Sequence, residues 1–326
     1  MPEITMLEAI RLAMKEEMER DESVLVLGED VGIYGGAFRA TEGLYDEFGP
    51  NRVIDTPISE SAIVGAALGM AIMGYRPIAE IQFADFITCG FDQIVNQTAT
   101  LRYRTGGEMP APLVVRAPSA AGVHGGLYHS QSPEAWFAHT PGLKVVVPSS
   151  AYDAKGLLKA AIRDDDPVIF FEPKFLYRRA KENLPEEDYI VPLGKAKILK
   201  EGGDVTIITY GSMVFHCRSA IDKLEAEDLS IELIDLRSIM PLDKSTIYDS
   251  VKKTNRVILA YEDHKTLGIG AEIAALLSEE LFEYLDTPII RVAAPDTPIP
   301  YSPPLEEFYL PNEQDVIDAV HRVIEY

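Results

Sequence analysis

The chain has almost no cysteine: Cys89 and Cys217 stand far apart, with no CxxC. That excludes a disulfide framework and a thiolate zinc site, and both residues are expected to be buried free thiols. Long apolar runs are missing as well. The most continuous, Ala62 to Met73, stops at Gly74 and Tyr75, well short of the roughly 20 residues needed to cross a bilayer. No membrane helix is expected. The opening MPEITMLEAIRLAMKEEMER scatters acids among its apolar residues, so neither a secretory signal nor an Arg-rich transit peptide is visible and a cytoplasmic setting is expected. Basic residues are scarce: 30 Lys and Arg face 52 Asp and Glu in 326 residues, a net charge of −22. Nucleic acid is therefore set aside as a partner, because phosphate binding needs clustered Lys and Arg.

Common catalytic signatures are absent too. There is no HExxH, no GxSxG elbow, no P-loop and no GxGxxG after the first strand. Gly268-Ile269-Gly270 reads as a helix start, and Gly203-Asp204 lacks the downstream Asn of a thiamine-type magnesium diphosphate site. No phosphate cradle is found.

What is present is regular alternation. Thr5-Met6-Leu7-Glu8 reads as a capping box before apolar positions at helical spacing, Ile10, Ala13, Met14 and Met18. Short β-rich runs such as Val24–Leu27, Pro77–Gln82, Leu113–Arg116, Leu143–Val147 and Val168–Glu172 alternate with helices expected from about Ser61, over Phe91–Tyr103 and over Ala151–Arg163. Beyond a polar stretch with Pro185 and Pro192, alternation resumes with DVTIITYG, LSIELIDL, RVILAYED and PIIRVAA, and a last helix starts at Asn312 or Glu313. This predicts an α/β protein of two doubly wound domains: residues 1–180, a linker over 181–203, and a smaller unit over 204–326. Charge divides unevenly between them. Through Ala180 there are 16 Lys and Arg against 24 Asp and Glu, and afterwards 14 against 28, so the later part carries −14 of the −22. Such a surface is either merely solvated or steers a basic partner.

Three features carry chemical promise. Glu60 opens TPISESAIVGAALGMAIMG, a segment apolar or small on every face and so expected to be a buried helix. Its carboxylate is then either a helix cap or a partly desolvated acid fit for proton transfer. HGGLYHSQSPEAWFAH holds His124, His129 and His139 in a Gly-rich stretch; their spacing argues against zinc and leaves structural histidines or an acid-base group. In EIQFADFITCGFDQ, Phe83, Phe86 and Phe91 read as core or as a stacking surface.

Taken together, VLGEDVGIYGG, RVIDTPISESAIVGAALGMA, AEIQFADFITCGFDQIVNQ, LRYRTGG, GGLYHSQSPEAWFAHTPGLKVVVP, DAKGLLKAAIRDDDPVIFFEPKFLYR and IDLRSIMPLD closely resemble the β subunit of thiamine-diphosphate-dependent 2-oxoacid dehydrogenases, the decarboxylating component. The resemblance runs from the first helix to Tyr326, and IQFADF, LYHSQSPEAWFAH and FFEPKFLYR look most like the branched-chain 2-oxoacid enzymes. It implies a pyrimidine-binding first domain and a transketolase-like C-terminal domain making subunit and acyltransferase contacts. It implies an α2β2 enzyme in which the α subunit grips the diphosphate and Mg2+ while β supplies the aminopyrimidine half of the site.

By the same resemblance Glu60 is the glutamate that hydrogen-bonds pyrimidine N1′, and Phe86 stands where the family places an aromatic, often Tyr, against the ring. Ile58 and Gln82 would flank it. His129 matches the histidine that assists acyl transfer to the lipoyl domain of the dihydrolipoyl acyltransferase core; His124 and His139 have no such match. A monovalent cation, K+, is implied on backbone oxygens of Ala111, Leu113, Val114, Ala161, Asp164 and Asp166. The alternatives are a pyruvate or acetoin dehydrogenase β subunit and, from another class, a non-catalytic acidic docking subunit. The docking subunit has no need of Glu60, Phe86 and His129 together, and a self-sufficient transketolase would need a diphosphate motif of its own.

Overall fold

Helices begin where the sequence supplies caps. Thr5 accepts the backbone N–H of Glu8 while Glu8 accepts that of Thr5, opening the helix Met6–Arg20. Ser150 likewise takes the N–H of Asp153 at the start of Ala151–Arg163. These two helices pack together on one face of a seven-stranded sheet. In the computed structural model, which describes residues 3–326, its strand order is Ser238–Met240, Lys144–Val146, Val168–Pro173, Val114–Ser119, Arg76–Glu80, Val24–Gly28, Val53–Asp55. Every neighbouring pair is parallel except the one that Ser238–Met240 makes.

Alternate residues of these strands enter two cores. Val24, Val26, Ile78 and Phe170 lie under the helices Met6–Arg20 and Ala151–Arg163, whereas Leu25, Leu27, Ala79 and Phe171 point to the other face. Both faces are thus covered, as an all-apolar parallel strand requires. A second sheet has the order Ile290–Ala294, Val257–His264, Val205–Thr209, Ile231–Asp235, Lys197–Lys200, the last antiparallel. One face is closed by the helices Met213–Leu224 and Glu313–Ile324 through Cys217, Ile221, Val316 and Val320. The other sends Ile208, Ile234 and Leu259 into the same core as Leu27 and Phe171, so the two sheets share an apolar layer.

Several expectations are corrected. The stretch 181–203 contributes two strands: Lys181–Glu182 pairs with Ile4–Thr5, and Lys197–Lys200 edges the second sheet. Over the span Phe91–Tyr103, expected as a single helix, the chain forms a π-helical turn Gln93–Thr98 and a short helix Leu101–Arg104, preceded by a 3-10 segment Ala84–Gly90. The Thr100 hydroxyl donates to the Asn96 carbonyl at 2.6 Å, a side-chain bond that competes with the helical ladder and bends it. Cys217 is buried, and burial pushes its thiol up to about 12, but Cys89 is exposed at the outer end of the 3-10 segment. The helix Glu60–Ile72 buries Ile63, Val64, Ala67, Leu68 and Ala71 and leaves Ser61, Ala62, Ala66, Gly69 and Ile72 exposed. An all-apolar sequence does not distinguish a face that meets this chain's own sheet from one that does not. Among the described residues no helix is long and apolar enough to cross a membrane.

The centre of the first sheet holds a charge. Arg116 is fully buried between Glu80 at 2.7 Å and Glu172 at 2.6 and 2.9 Å, and the Tyr177 hydroxyl donates to Glu172 at 2.5 Å. Burial raises the pKa of Glu80 despite the adjacent guanidinium. Removing only the cation would strand two carboxylates in a dry interior. Arg116→Met is therefore expected to destabilise the chain by about 3–5 kcal/mol in chemical denaturation, the range for breaking one side of a buried pair. A loss below about 1 kcal/mol would show the triad to be dispensable.

Candidate active site

Strand order reverses between Val24–Gly28 and Arg76–Glu80: from the first, the chain crosses outward to Val53–Asp55 and then back to Arg76–Glu80 on its other side. The crevice outside the carboxyl ends of the strands at such a reversal is the usual ligand site of an open parallel sheet. Glu29 and Asp30 follow one strand, Ile58 and Glu60 the next, and Gln82, Phe83 and Phe86 the third. The loop after Val114–Ser119 brings His129.

The structure brings Phe86 and His129 together. Their ring centroids are 5.6 Å apart at 86°, and Phe83 packs edge-on to His129 at 4.4 Å. Glu60 is half-buried and opens its helix without a side-chain cap from Ser59. A Cβ on Gly90 would stand 3.2 Å from the Glu60 carbonyl oxygen, so the segment carrying Phe86 rests on the first turn of that helix. Gln82 lies with its Nε2 3.5 Å from Asp30 Oδ2, and Ile58 is exposed on the rim. His124 is engaged elsewhere, its Nδ1 2.6 Å from Glu306, and His139 is exposed at the end of the short helix Glu134–Ala138.

Sequence reasoning missed Glu29. It is buried, its Oε1 has no hydrogen-bond partner, and its pKa is raised first by burial and then by the charges of Glu60, Asp30 and Glu80. Its signal in the sequence, an acid directly after the apolar run VLVLG, is too common to single it out. Lys174 was missed also: it is buried, 6.0 Å from the Phe83 ring centre, and burial lowers its pKa to about 8 against the pull of Asp85, Glu262 and Glu134.

The residues named for a cation gather at the opposite end of the sheet. The carbonyls of Ala111, Leu113, Ala161 and Asp164 each accept one protein hydrogen bond, from Leu113, Val168, Asp164 and Arg76. A carbonyl oxygen has a second lone pair, so the donor type suits an oxygen-ligated ion. The side chains of Asp164 and Asp166 are already engaged by the Lys144 ammonium at 2.7 and 3.5 Å, and Val114 lies within its strand. Among the described residues no three His, Cys, Asp or Glu side chains converge as a metal cluster.

Residues 2–180 match the transketolase pyrimidine binding domain and residues 194–316 the transketolase C-terminal domain. The chain is 52% identical over 321 residues to the 2-oxoisovalerate dehydrogenase subunit beta of Bacillus subtilis (strain 168), covering 98% of each. It is 48% identical over 326 residues to the pyruvate dehydrogenase E1 component subunit beta of the same organism, covering 100% of each. A solved split-gene transketolase, an inactive beta4 tetramer, superimposes with a TM-score of 0.81 at 26% identity over 99% of both chains. Pyrimidine-binding domain, C-terminal domain and full-length similarity coincide, and the chain belongs to the β subunits of the 2-oxoacid dehydrogenase E1 family.

Proposed function

We propose that this chain supplies the pyrimidine half of a thiamine diphosphate site that an α subunit completes with Mg2+ and the diphosphate grip. In this reading the α2β2 enzyme oxidatively decarboxylates a branched-chain 2-oxo acid and passes the acyl group to the lipoyl domain of a dihydrolipoyl acyltransferase. The observations that carry it are the half-buried Glu60 at the point of strand reversal, close enough to act on the buried, unpartnered carboxyl of Glu29, and the Phe86–His129 pair on the loops after the neighbouring strands. A carboxyl group next to an aromatic wall fits a flat ring that carries a basic nitrogen. The absence of a phosphate-cradling motif fits a division of the cofactor between two chains. The solved relative's description as an inactive beta4 tetramer of a split-gene enzyme supports the same division.

When bound, the cofactor supplies an electron sink for the bonding pair released with carbon dioxide. The protein's part is proton control and placement. Glu60 would hold the pyrimidine N1′ and exchange a proton with it, a carboxyl role that an apolar helix start and the neighbouring Glu29 favour. Phe86 would cover one ring face without the hydroxyl that Tyr brings, while Ile58 and Gln82 border the ring. His129, held edge-on by two phenyl rings, would serve as the acid-base group of acyl transfer. K+ on the carbonyls around Ala111 and Ala161 would brace the strand ends and takes no part in the chemistry. The acidic part beyond Ala180 is read as the docking surface for a basic segment of the acyltransferase, and the cytoplasm as the setting.

Glu60→Gln keeps the shape and removes the transferable proton. Decarboxylation by the reconstituted α2β2 enzyme is expected to fall about 10² to 10⁴-fold, the usual worth of general acid-base catalysis, with assembly unchanged in gel filtration; near-normal turnover would return Glu60 to a capping role. His129→Ala is expected to harm transfer to the lipoyl domain more than decarboxylation to an artificial electron acceptor, and equal losses would assign the imidazole to cofactor placement. The same reconstituted enzyme should process 2-oxoisovalerate and 2-oxoisocaproate with higher kcat/KM than pyruvate or acetoin. A preference for pyruvate would move the chain to the alternative that its second relative represents.

A further inference from the structure

The loop from Ala120 to Gln131 has one short turn, Gly126–Tyr128, yet its backbone N–H groups find carboxylates at both ends. At its start, Gly122 and His124 both donate to Glu306 Oε1 at 3.2 Å, and Ala121 donates to Glu262 Oε1 at 2.5 Å. At its finish, Ser130 and Gln131 both donate to Asp85 Oδ1 at 3.1 Å. Ala120, Gly122, His124 and Gly126 have φ of 70°, 79°, 58° and 61°. Left-handed residues at every second position turn successive N–H groups inward, a backbone nest for an anion. Here the anion is a side chain of the other domain. Glu306 belongs to the helix Pro303–Tyr309, is 1% exposed, and also meets His124 Nδ1 at 2.6 Å. The neighbouring Tyr301 ring sits where a Cβ on Gly126 would be, 2.3 Å from its nearest carbon.

Asp85 is the residue before Phe86, and it is buried, with the Lys174 ammonium acting on its carboxyl group. One carboxylate therefore ties the turn that carries Phe86 to the two amides directly after His129. We propose that Asp85 and Glu306 are positioning residues for His129, holding the loop at its two ends, so that the C-terminal domain takes part in placing the imidazole. This rests on the acyl-transfer role proposed for His129. Neither residue touches the crevice groups through its own side chain in the contacts described; both act through the loop backbone.

The test compares Asp85→Ala, Asp85→Asn, Glu306→Ala and Glu306→Gln in the reconstituted α2β2 enzyme. Two readouts are followed: hydrogen exchange at the amides of residues 121–131, and the two half-reactions assayed separately. The alanine variants are expected to lose protection, Asp85→Ala at Ser130 and Gln131 and Glu306→Ala at Gly122 and His124. They are expected to cut lipoyl acylation at least tenfold further than decarboxylation to an artificial acceptor. The amide variants keep an acceptor oxygen and should recover most of both. Asp85→Ala combined with His129→Ala should transfer acyl groups no more slowly than His129→Ala alone. Retained protection in the alanine variants, or losses equal in both half-reactions and additive to His129→Ala, would overturn the proposal. If His129→Ala itself spares acyl transfer, the role of His129 falls; the clamp is then upheld by lost protection and overturned by retained protection.

Discussion

Arg116, buried between Glu80 and Glu172, sets the register on which the crevice depends. The three residues lie on adjacent strands, Glu80 opposite Arg116 in the ladder and Glu172 two residues beyond the partner of Arg116. In strands buried on both faces, such as Val24–Gly28 and Val168–Pro173, a slip of one residue still buries Val, Ile, Leu or Phe. A buried guanidinium removes that freedom, since any slip leaves an unpaired charge in the interior. Gln82 and Phe83 follow Glu80 within three residues, and Lys174 follows Glu172 by two. Fixing the triad thus fixes where the crevice side chains leave the sheet.

The second constraint is that neither domain is complete alone. Ser238–Met240 leaves the C-terminal part to extend the first sheet, and Arg237 beside it donates to Asp153 at 2.9 Å at the start of the helix Ala151–Arg163. With the shared apolar layer and the carboxylates that grip the loop before His129, these contacts couple the placement of an acid-base group to the packing of a second domain. The division into domains at residues 180 and 204 cuts across the sheets as well as the crevice loop, which is held from both sides.

Much of the fold was legible because local physics and the global fold agree. The helix Ala151–Arg163 has a Ser cap and an acid in its first turn, and the fully buried strands read as short apolar runs. What escaped was short or borrowed: Val53–Asp55 has three residues, and Ser238–Met240 makes sense only beside a strand from the other domain. The exposed side of Glu60–Ile72 and the exposed Cys89 went unread since burial depends on neighbours that periodicity does not name. In the crevice, Glu60, Phe86 and His129 stood out through resemblance. Glu29, Asp85, Lys174 and Glu306 did not, because a lone acid or lysine in a sequence reads as surface until the fold takes its water away.

That removal of water also explains why acids can serve as clamps here. Asp85, Glu134 and Glu262 all have pKa values raised first by burial, with Lys174 as a shared cation whose own pKa burial lowers to about 8. One ammonium faces three carboxyl groups at low dielectric, where burial disfavours the charged form of each. A protonated carboxyl still accepts a backbone N–H through its carbonyl oxygen. The bonds from Asp85 to Ser130 and Gln131, and from Glu262 to Ala121, therefore survive a change of charge state. An ammonium or guanidinium cannot substitute, having no acceptor, and an amide would remove the option of charge. A carboxyl group is the side chain that can hold an amide backbone in place, remain buried, and absorb or release a proton without letting go.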